Sequence, residues 1–290
     1  MMILLTGATG TVGRPLVDLL RGAGAEVRAV SREAAAAGLP AGVEVVAGDP
    51  SRPDTVAEAL DGVTALFLHP RAVGDAATGL AALARRRGVR RIVALSATNV
   101  DDDPSEQPSR FAGDRNREAE KAAAGSGLEW TSLRASFFAA NTIAMWGAQI
   151  RGGDVVRYAY PDVSELPIHQ RDIAAVAAHA LLTDDLVGRR VELTGPQSLT
   201  HADMVTVIGD VLGRSLRYEE LAPADAVDRL VAHGLPEPFV VALVARYGRL
   251  AGTAQPPSND VEKVLGRPAA TFAQWVADHT AAFTDQPERR

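Results

Sequence analysis

Three glycines, each three residues from the next, constrain the fold of this chain more than any other feature. Gly7, Gly10 and Gly13 follow an apolar run at residues 3–5 and open an amphipathic run at residues 11–21. In that context the first glycine permits a tight turn, the second lets backbone N–H groups approach a ligand, and the third lets a helix pack closely on a strand. The pattern predicts a strand–turn–helix unit whose helix N-terminus holds the diphosphate bridge of a dinucleotide.

Short apolar runs and longer amphipathic runs alternate through the first half of the chain. Strands are predicted at residues 3–5, 26–31, 43–47, 64–68, 91–95 and 130–133, and helices at residues 11–21, 55–60, 76–87 and 115–124. Strands that alternate with helices are typical of a parallel sheet covered on both faces. Right-handed crossovers then make the sheet doubly wound, so the predicted fold class is α/β, a doubly wound parallel-sheet Rossmann fold.

The alternation weakens after residue 134, where a second lobe is predicted. Helices are predicted at residues 136–150, 172–182, 201–212, 224–232, 238–247 and 271–283, with a strand at 190–193 and a polar loop at 252–259. Thr200 is placed to cap the helix at 201–212, with Asp203 at its third position. We expect an NAD(P)-binding Rossmann domain over residues 1–135 and a smaller, mostly helical substrate-cleft lobe over residues 136–290. Residues 170–195 are expected to return to the Rossmann sheet.

Composition argues against several classes of protein. The chain has no cysteine, which rules out disulfides, thiol catalysis and thiolate metal sites. Its net charge of -6 and the lack of a basic stripe argue against a nucleic-acid partner. No apolar run reaches the ~18 residues of a membrane span, and the histidines show no metal-ligand spacing. We therefore expect a cytoplasmic protein that binds no metal, nucleic acid or membrane; the oligomeric state is left open.

The residues that follow the second strand favour one dinucleotide over the other. NAD sites place an acid there to hold the ribose 2′-hydroxyl, whereas this strand ends at Ser31 and is followed by Arg32. A guanidinium offers a forked donor to a 2′-phosphate, so NADP(H) is the expected cofactor. Asp49 either accepts from the adenine amino group or caps the next helix, and both interpretations stay open. The residues expected to bind the cofactor are Gly7, Thr9, Gly10, Thr11, Val12, Gly13, Ser31, Arg32, Asp49, Leu68 and Ser96.

Motifs along nearly the whole chain resemble one family. The loop Thr6 to Gly13 is shared with the wider short-chain dehydrogenase/reductase superfamily. More specific blocks are Glu120-Lys121, residues 126–134 with Phe137, Phe138 and Asn141 after them, residues 171–174, residues 193–196, and residues 260–262 and 265–268 with Phe272. These blocks resemble the NmrA-like branch of the atypical short-chain dehydrogenase/reductases. The resemblance implies either an NADPH-dependent reductase of quinones and related compounds or a redox-sensing regulator that binds the dinucleotide.

The acid–base pair of the main-line superfamily is missing. Those enzymes use a tyrosine followed four residues later by a lysine, and the corresponding positions here fall near Ala112 and Asn116. Direct hydride transfer to an electron-poor acceptor needs no such pair, because the cofactor carries the hard chemistry. The expected function is NADPH-dependent reduction of a quinone-like or conjugated carbonyl or aromatic small molecule. The alternatives are a non-catalytic NADP(H)-binding regulator and a biosynthetic enzyme that performs a non-redox step.

Three polar side chains are the catalytic candidates. Ser96 ends the fifth strand, where related enzymes bind a substrate oxygen, and could equally satisfy the strand end. His69 and His169 could act as general acids near neutral pH, or could be satisfied core or interface residues. Asp172 is expected to cap a helix or to pair with Arg134 rather than to act in catalysis.

An apolar or aromatic substrate is expected to bind beside the sixth strand. A ligand pocket combines an apolar lining with a few polar groups, and the residues after that strand supply both. The expected substrate-binding residues are Phe137, Phe138, Asn141 and Trp146. Ordinary core packing is the alternative role for the aromatic members of this group.

Overall fold

Seven parallel strands form the central sheet of the protein, which the computed structural model describes over residues 1–284. The strands are β1 (Met2–Thr6), β2 (Glu26–Ser31), β3 (Glu44–Ala47), β4 (Val63–Leu68), β5 (Arg91–Ala97), β6 (Glu129–Ala135) and β9 (Arg189–Leu193). Their order across the sheet is β3-β2-β1-β4-β5-β6-β9. The chain runs outward from β1 in one direction and from β4 in the other, so the predicted doubly wound α/β fold is confirmed.

Helices cover both faces of this sheet because its strands are apolar on both sides. The helices of residues 1–200 are α1 (Gly13–Gly22), α2 (Pro70–Val73), α3 (Ala77–Arg86), α4 (Pro108–Phe111), α5 (Asn116–Ala124), α6 (Ala148–Gly152) and α7 (Gln170–Leu182). In β1, Ile3 and Leu5 pack into the core beneath α1 and α7, whereas Leu4 packs into the core beneath α3 and α5. Alternation along a strand thus feeds two separate cores.

A second lobe follows the sheet and has its own core. The further elements of the described chain are β7 (Val155–Tyr158), β8 (Ser164–Glu165), β10 (Leu199–Thr200), α8 (His201–Leu212), β11 (Arg217–Glu220), α9 (Pro223–Ala232), α10 (Glu237–Leu250), α11 (Asp260–Leu265) and α12 (Phe272–Asp278). Of these, α11 packs against α7 and β9 of the sheet, and the others belong to the second lobe. Trp146, Trp275 and Phe272 lie at the centre of this core. Thr200 caps α8 and exchanges hydrogen bonds with Asp203, as predicted. The last six residues of the predicted lobe, 285–290, lie outside the described residues.

One predicted helix is wrong and another is confirmed only in its second half, and in both cases distant residues contact the segment that is not α-helical. Residues 55–60 form parts of two short 3-10 turns. The Arg28 guanidinium donates to the carbonyl oxygens of Ala59 at 2.7 Å and Asp61 at 2.8 Å, so these oxygens are engaged outside a regular helix. Residues 136–140 are not helical, because their backbone pairs with Ile168, and helical structure begins at residue 141. A π-helical turn at Ile143–Gly147 then leads into α6. The parallel pair β7–β11 was not predicted.

No helix within residues 1–284 is both long and apolar enough to cross a bilayer. The longest helix, α10, has 14 residues and carries two arginines near its C-terminal end. A spanning helix needs about 20 predominantly apolar residues.

Candidate cofactor and substrate site

The glycine loop between β1 and α1 leaves no room for side chains at two positions. Gly7 has a φ of +71°, and a methyl group added there would lie 2.8 Å from Cβ of His69. A methyl group on Gly13 would lie 2.1 Å from the carbonyl oxygen of Gly7. Both distances are shorter than any van der Waals contact, so the turn and the close helix packing require glycine at these positions.

The N-terminus of α1 presents free donors to a ligand. The backbone N–H groups of Thr11 and Val12 find no acceptor within residues 1–284. No side chain caps this helix, unlike α8. Unpaired N–H groups and the positive end of the helix dipole together attract an anion. The loop is therefore built to receive a phosphate group.

Arg14 fixes the glycine loop against the segment that follows β2. Its guanidinium donates to the carbonyl oxygens of Thr9 at 3.1 Å, Gly38 at 2.8 Å and Ala37 at 3.1 Å. These bonds join the two segments that would flank the adenosine half of a dinucleotide. Sequence reasoning missed Arg14, because a side chain that binds carbonyl oxygens of a distant loop leaves no spacing pattern.

Arg32 lies exposed at the end of β2 and has no hydrogen-bond or ion-pair partner among residues 1–284. The neighbouring Ser31 hydroxyl accepts from the backbone N–H of Glu33 at 3.2 Å. An exposed guanidinium without an acidic partner is free to bind a phosphate. The Glu33 carboxylate also makes no ion pair in this part of the chain.

Asp49 organises the turn after β3. Its Oδ1 accepts from the backbone N–H of Ser51 at 3.0 Å and from the Ser51 hydroxyl at 2.7 Å. The Ser51 side chain is the main cause that lowers the pKa of Asp49, and the charge of Arg52 adds to it. The interpretation of Asp49 as a helix cap is wrong, because no side chain caps the helical turn that follows. The contact with the adenine amino group stays a prediction, and the second carboxylate oxygen lies 3.3 Å from Arg52.

Two buried polar atoms lie at the carboxyl ends of the central strands without partners. His69 follows β4, and its Nδ1 is sealed from solvent and unpaired. Ser96 is in β5, and its hydroxyl is likewise buried and unpaired. Burial lowers the pKa of His69, so the imidazole is neutral at pH 7. Buried atoms without partners cost about 1–3 kcal/mol each, and such atoms point to a missing hydrogen-bonding group. The side chain of Leu68, by contrast, is wholly buried in the sheet core.

His169 is held by both of its ring nitrogens. Nδ1 accepts from the backbone N–H of Arg171 at 3.1 Å and so caps α7, while Nε2 lies 3.4 Å from the Asp278 carboxylate. Burial lowers the pKa of His169, and the Asp278 carboxylate opposes this effect. Arg171 donates to the same carboxylate at 2.8 Å. These contacts tie α12 to the start of α7 and leave neither nitrogen free.

Glu120 of the family-like middle block forms a buried ionic network rather than part of the cleft. Its carboxylate accepts from the Ser132 hydroxyl at 2.6 Å and from the guanidinium groups of Arg134 at 2.6 Å and Arg190 at 2.7 Å. Burial alone would raise the pKa of Glu120, but these donors outweigh it and lower the pKa to about 2. The network connects α5 with β6 and β9 and stabilises this edge of the sheet.

The expected pairing of Asp172 with Arg134 is wrong, as is the expected capping role. Asp172 accepts from Arg267 at 2.8 Å and from the backbone N–H of Ala270 at 2.7 Å, and His169 is the residue that caps α7. Asp172 therefore anchors the segment between α11 and α12.

The structure distributes the expected substrate residues between the cleft and the cores. Phe137 packs against the core of the second lobe and Phe138 against the core of the sheet, and both stay partly exposed. Asn141 is exposed at the turn that follows. Trp146 has 0% exposure and lies in the core of the second lobe, so it does not line the cleft in this structure.

A dinucleotide fits the chemistry of this arrangement. The loop supplies a cradle that methyl groups at Gly7 and Gly13 would fill, and the start of α1 supplies free N–H donors. Arg32 supplies a cation at the end of β2, and Ser96 supplies an unpaired hydroxyl where β5 ends. Ligands of doubly wound sheets bind at the carboxyl ends of the strands near the switch point, which here lies between β1 and β4.

Comparison with known proteins agrees with this geometry. The sequence model of a family described as NAD(P)H-binding matches residues 7–184. The (4-alkanoyl-5-oxo-2,5-dihydrofuran-3-yl)methyl phosphate reductase of Streptomyces griseus is 36% identical over 289 residues, which cover 98% of this chain and 100% of that protein. The NAD(P)H azoreductase of Xenophilus azovorans is 33% identical over 292 residues, covering 97% and 99%.

A solved structure extends the similarity to the whole fold. The NADPH-dependent quinone oxidoreductase of Escherichia coli, complexed with NADPH, superimposes with a TM-score of 0.82 at 27% sequence identity. The match covers 96% of this chain and 100% of that chain, so both lobes have counterparts there.

Proposed function

The chain belongs to the NAD(P)H-binding family, in its NmrA-like branch of atypical short-chain dehydrogenase/reductases, and from this premise we propose that it is an NADPH-dependent reductase of quinone-like or conjugated carbonyl compounds. The observation that carries the proposal is the cradle formed by Gly7, Gly13 and the uncapped N-terminus of α1. When bound, NADPH supplies the hydride.

NADP(H) binding divides among three groups of this chain. The N–H groups of Thr11 and Val12 hold the diphosphate bridge at the start of α1. Arg32 holds the 2′-phosphate, because it is exposed and forms no ion pair within residues 1–284, and its charge acts only at longer range on Asp49. His69 and Ser96 border the nicotinamide end, where their unpaired atoms can accept or donate a hydrogen bond. The burial of these atoms of His69 and Ser96 supports a role in hydrogen bonding to the cofactor or substrate more directly than a role in proton transfer.

The substrate class follows from the relatives and from the missing acid–base pair. One relative is named for reducing a dihydrofuranone that carries an alkanoyl group and a phosphate, and another for reducing azo compounds. Both names denote electron-poor acceptors, which take a hydride without a tyrosine–lysine pair. We propose that Phe137, Phe138 and Asn141 contact such an acceptor.

The two lobes divide this work. Residues 1–135 form the NAD(P)-binding domain, and residues 136–290 form the substrate-cleft lobe. The segment 170–195 of that second part contributes α7 and β9 to the Rossmann unit, which supports a division that the chain crosses more than once.

Turnover with a defined set of acceptors tests the proposal. The purified protein is mixed with NADPH and, separately, with quinones, alkanoyl-dihydrofuranones with and without a phosphate, and azo dyes. Loss of the nicotinamide absorbance with one of these classes, together with isolation of the reduced product, is the expected result. Tight NADPH binding without consumption against every class would contradict a reductase and favour a sensing role.

A further inference from the structure

Glu165 is a buried carboxyl group without a partner. It lies in β8, its residue is 7% exposed, and it has no hydrogen bond or ion pair through its side chain within residues 1–284. The other two buried acids of the described chain, Glu120 and Asp172, are both held by donors. A buried carboxyl that stability alone had selected would be paired, because an unpaired one is costly.

The backbone around Glu165 lies beyond the carboxyl end of β6, where the crevice begins. Leu166 accepts a hydrogen bond from the hydroxyl of Ser136, the first residue after β6, at 2.6 Å. The backbone of Ile168 exchanges hydrogen bonds with Phe137 at 2.8 Å and Ala139 at 3.0 Å. Residues 164–168 thus run beside the segment that carries the proposed substrate contacts.

The C-terminal end of helix α10 lies beside the segment that carries Glu165, because Ala251, the residue after α10, forms an antiparallel bridge with Val163. The charge of Arg246 lowers the pKa of Glu165, and the Glu165 charge raises the pKa of Tyr247, so both groups of α10 influence the carboxyl. His201, at the start of α8, donates its backbone N–H to Val163 at 3.0 Å. Arg246 also reaches Asp102, in the loop after β5, at 3.7 Å. The same arginine of α10 thus acts on Glu165 and reaches the loop that follows β5, the strand that carries Ser96.

This environment leaves about half of the Glu165 carboxyl groups protonated at pH 7 and most of them protonated at pH 6. Burial raises the pKa of Glu165 to about 7, and the positive charge of Arg246 opposes this effect without cancelling it. Burial lowers the pKa of His201 to about 4, so the imidazole is neutral and adds no charge to the site. Burial also raises the pKa of Tyr247 well above 10, so its phenol is neutral as well.

We propose that Glu165 is the proton donor for the reduced substrate, in the place of the tyrosine that this chain lacks. The proposal rests on the proposed reductase function. Hydride addition brings two electrons and one hydrogen to the substrate and leaves a negative charge on its carbonyl oxygen. The O–H bond of the Glu165 carboxyl then breaks, an O–H bond forms on that oxygen, and the Glu165 carboxylate takes a new proton from water. A conjugated carbonyl, whose enolate is strongly basic, depends on this proton more than a quinone does.

The pH dependence of the variant Glu165→Gln tests the donor role. For a conjugated carbonyl substrate, we expect kcat/KM of the native protein to fall as pH rises through about 7, and the variant to lose this dependence. At pH 6 the variant should be slower by about 100-fold, the lower range for a lost general acid. The matched control is Glu220→Gln, an exposed acid at the end of β11, which should match the native protein. A native rate and pH profile in Glu165→Gln would overturn the proposal.

Carboxyl titration by NMR gives a readout that needs no turnover. The carbon signal of the Glu165 carboxyl, assigned by its absence in Glu165→Gln, should titrate near pH 7 in the protein without NADPH. Titration below about pH 5, near the ordinary value for glutamate, would overturn the donor role even in an active reductase. Failure of the native protein to reduce any acceptor would instead refute the reductase function, and the donor role would fall with it. NADPH binding to Glu165→Gln, followed by fluorescence, confirms that the variant is folded.

Discussion

The substitution Glu120→Gln separates a structural role of the middle motif from a catalytic one. The network lowers the pKa of Glu120 from 4.5 to about 2. At about 1.4 kcal/mol per pH unit, this change corresponds to about 3 kcal/mol in favour of the ionised carboxyl. Half of the Arg190 side chain is exposed, so solvent screens part of the interaction. We therefore expect the free energy of unfolding of the variant at pH 7 to be about 2 kcal/mol lower than that of the native protein.

Urea unfolding followed by circular dichroism measures this difference at several pH values. Because the pKa is lowered in the folded state, the stabilisation is present above pH 4.5 and is lost as pH falls towards 2. The gap between native protein and variant should therefore narrow through this range. NADPH affinity at pH 7 should stay unchanged, since the network lies apart from the glycine loop. A gap below about 0.5 kcal/mol at pH 7, or one that does not change with pH, would refute the reasoning.

Three further substitutions probe the cofactor site and its support. Arg32→Ala should weaken NADPH binding by about 10- to 100-fold in a fluorescence titration and leave NADH binding unchanged, and equal losses would contradict a 2′-phosphate contact. Gly13→Ala should abolish NADPH binding because its methyl group meets a backbone oxygen at 2.1 Å, whereas Gly22→Ala, with nothing within 4 Å, should bind normally. His169→Ala should lower the free energy of unfolding by about 1 kcal/mol, because the cap of α7 is lost. His169→Asn should restore that stability, and both variants should keep reductase activity. Loss of activity in both variants would indicate a chemical role for His169.

The strands of the sheet could be predicted from sequence because the apolar pattern that buries each strand lies within the strand itself. Each strand is apolar on both faces, and such runs bounded by turn residues have few other structures available. The runs at residues 26–31 and 91–95 accordingly match β2 and most of β5. The predicted NADP(H) cradle shares this local character, since three glycines within seven residues specify it.

The second lobe was harder to predict because its structure depends on distant partners. Residues 136–150 have a helical pattern, yet their first half gives its backbone hydrogen bonds to a segment some 30 residues later. Trp146 is an aromatic residue of the kind that lines ligand pockets, but residues of α8 and α12 pack around it in the core of the second lobe. Spacing within one segment carries no information about which later segment will cover it.

The position of Glu165 shows why the proton donor could not be found from sequence. Ser164-Glu165-Leu166 is an ordinary surface-like stretch in the sequence, and segments more than 30 residues later, β10 among them, pack beside it in the structure. Glu120 of α5, by contrast, accepts hydrogen bonds from Arg134 of β6 and Arg190 of β9, so this carboxylate stabilises the sheet. In the proposed reductase, the substrate therefore receives its hydride from NADPH held by the glycine-loop domain and its proton from Glu165 of the second lobe. Its activity on acid-dependent substrates should therefore follow the docking of α10: loosening the Arg246–Asp102 contact should slow conjugated carbonyls more than quinones.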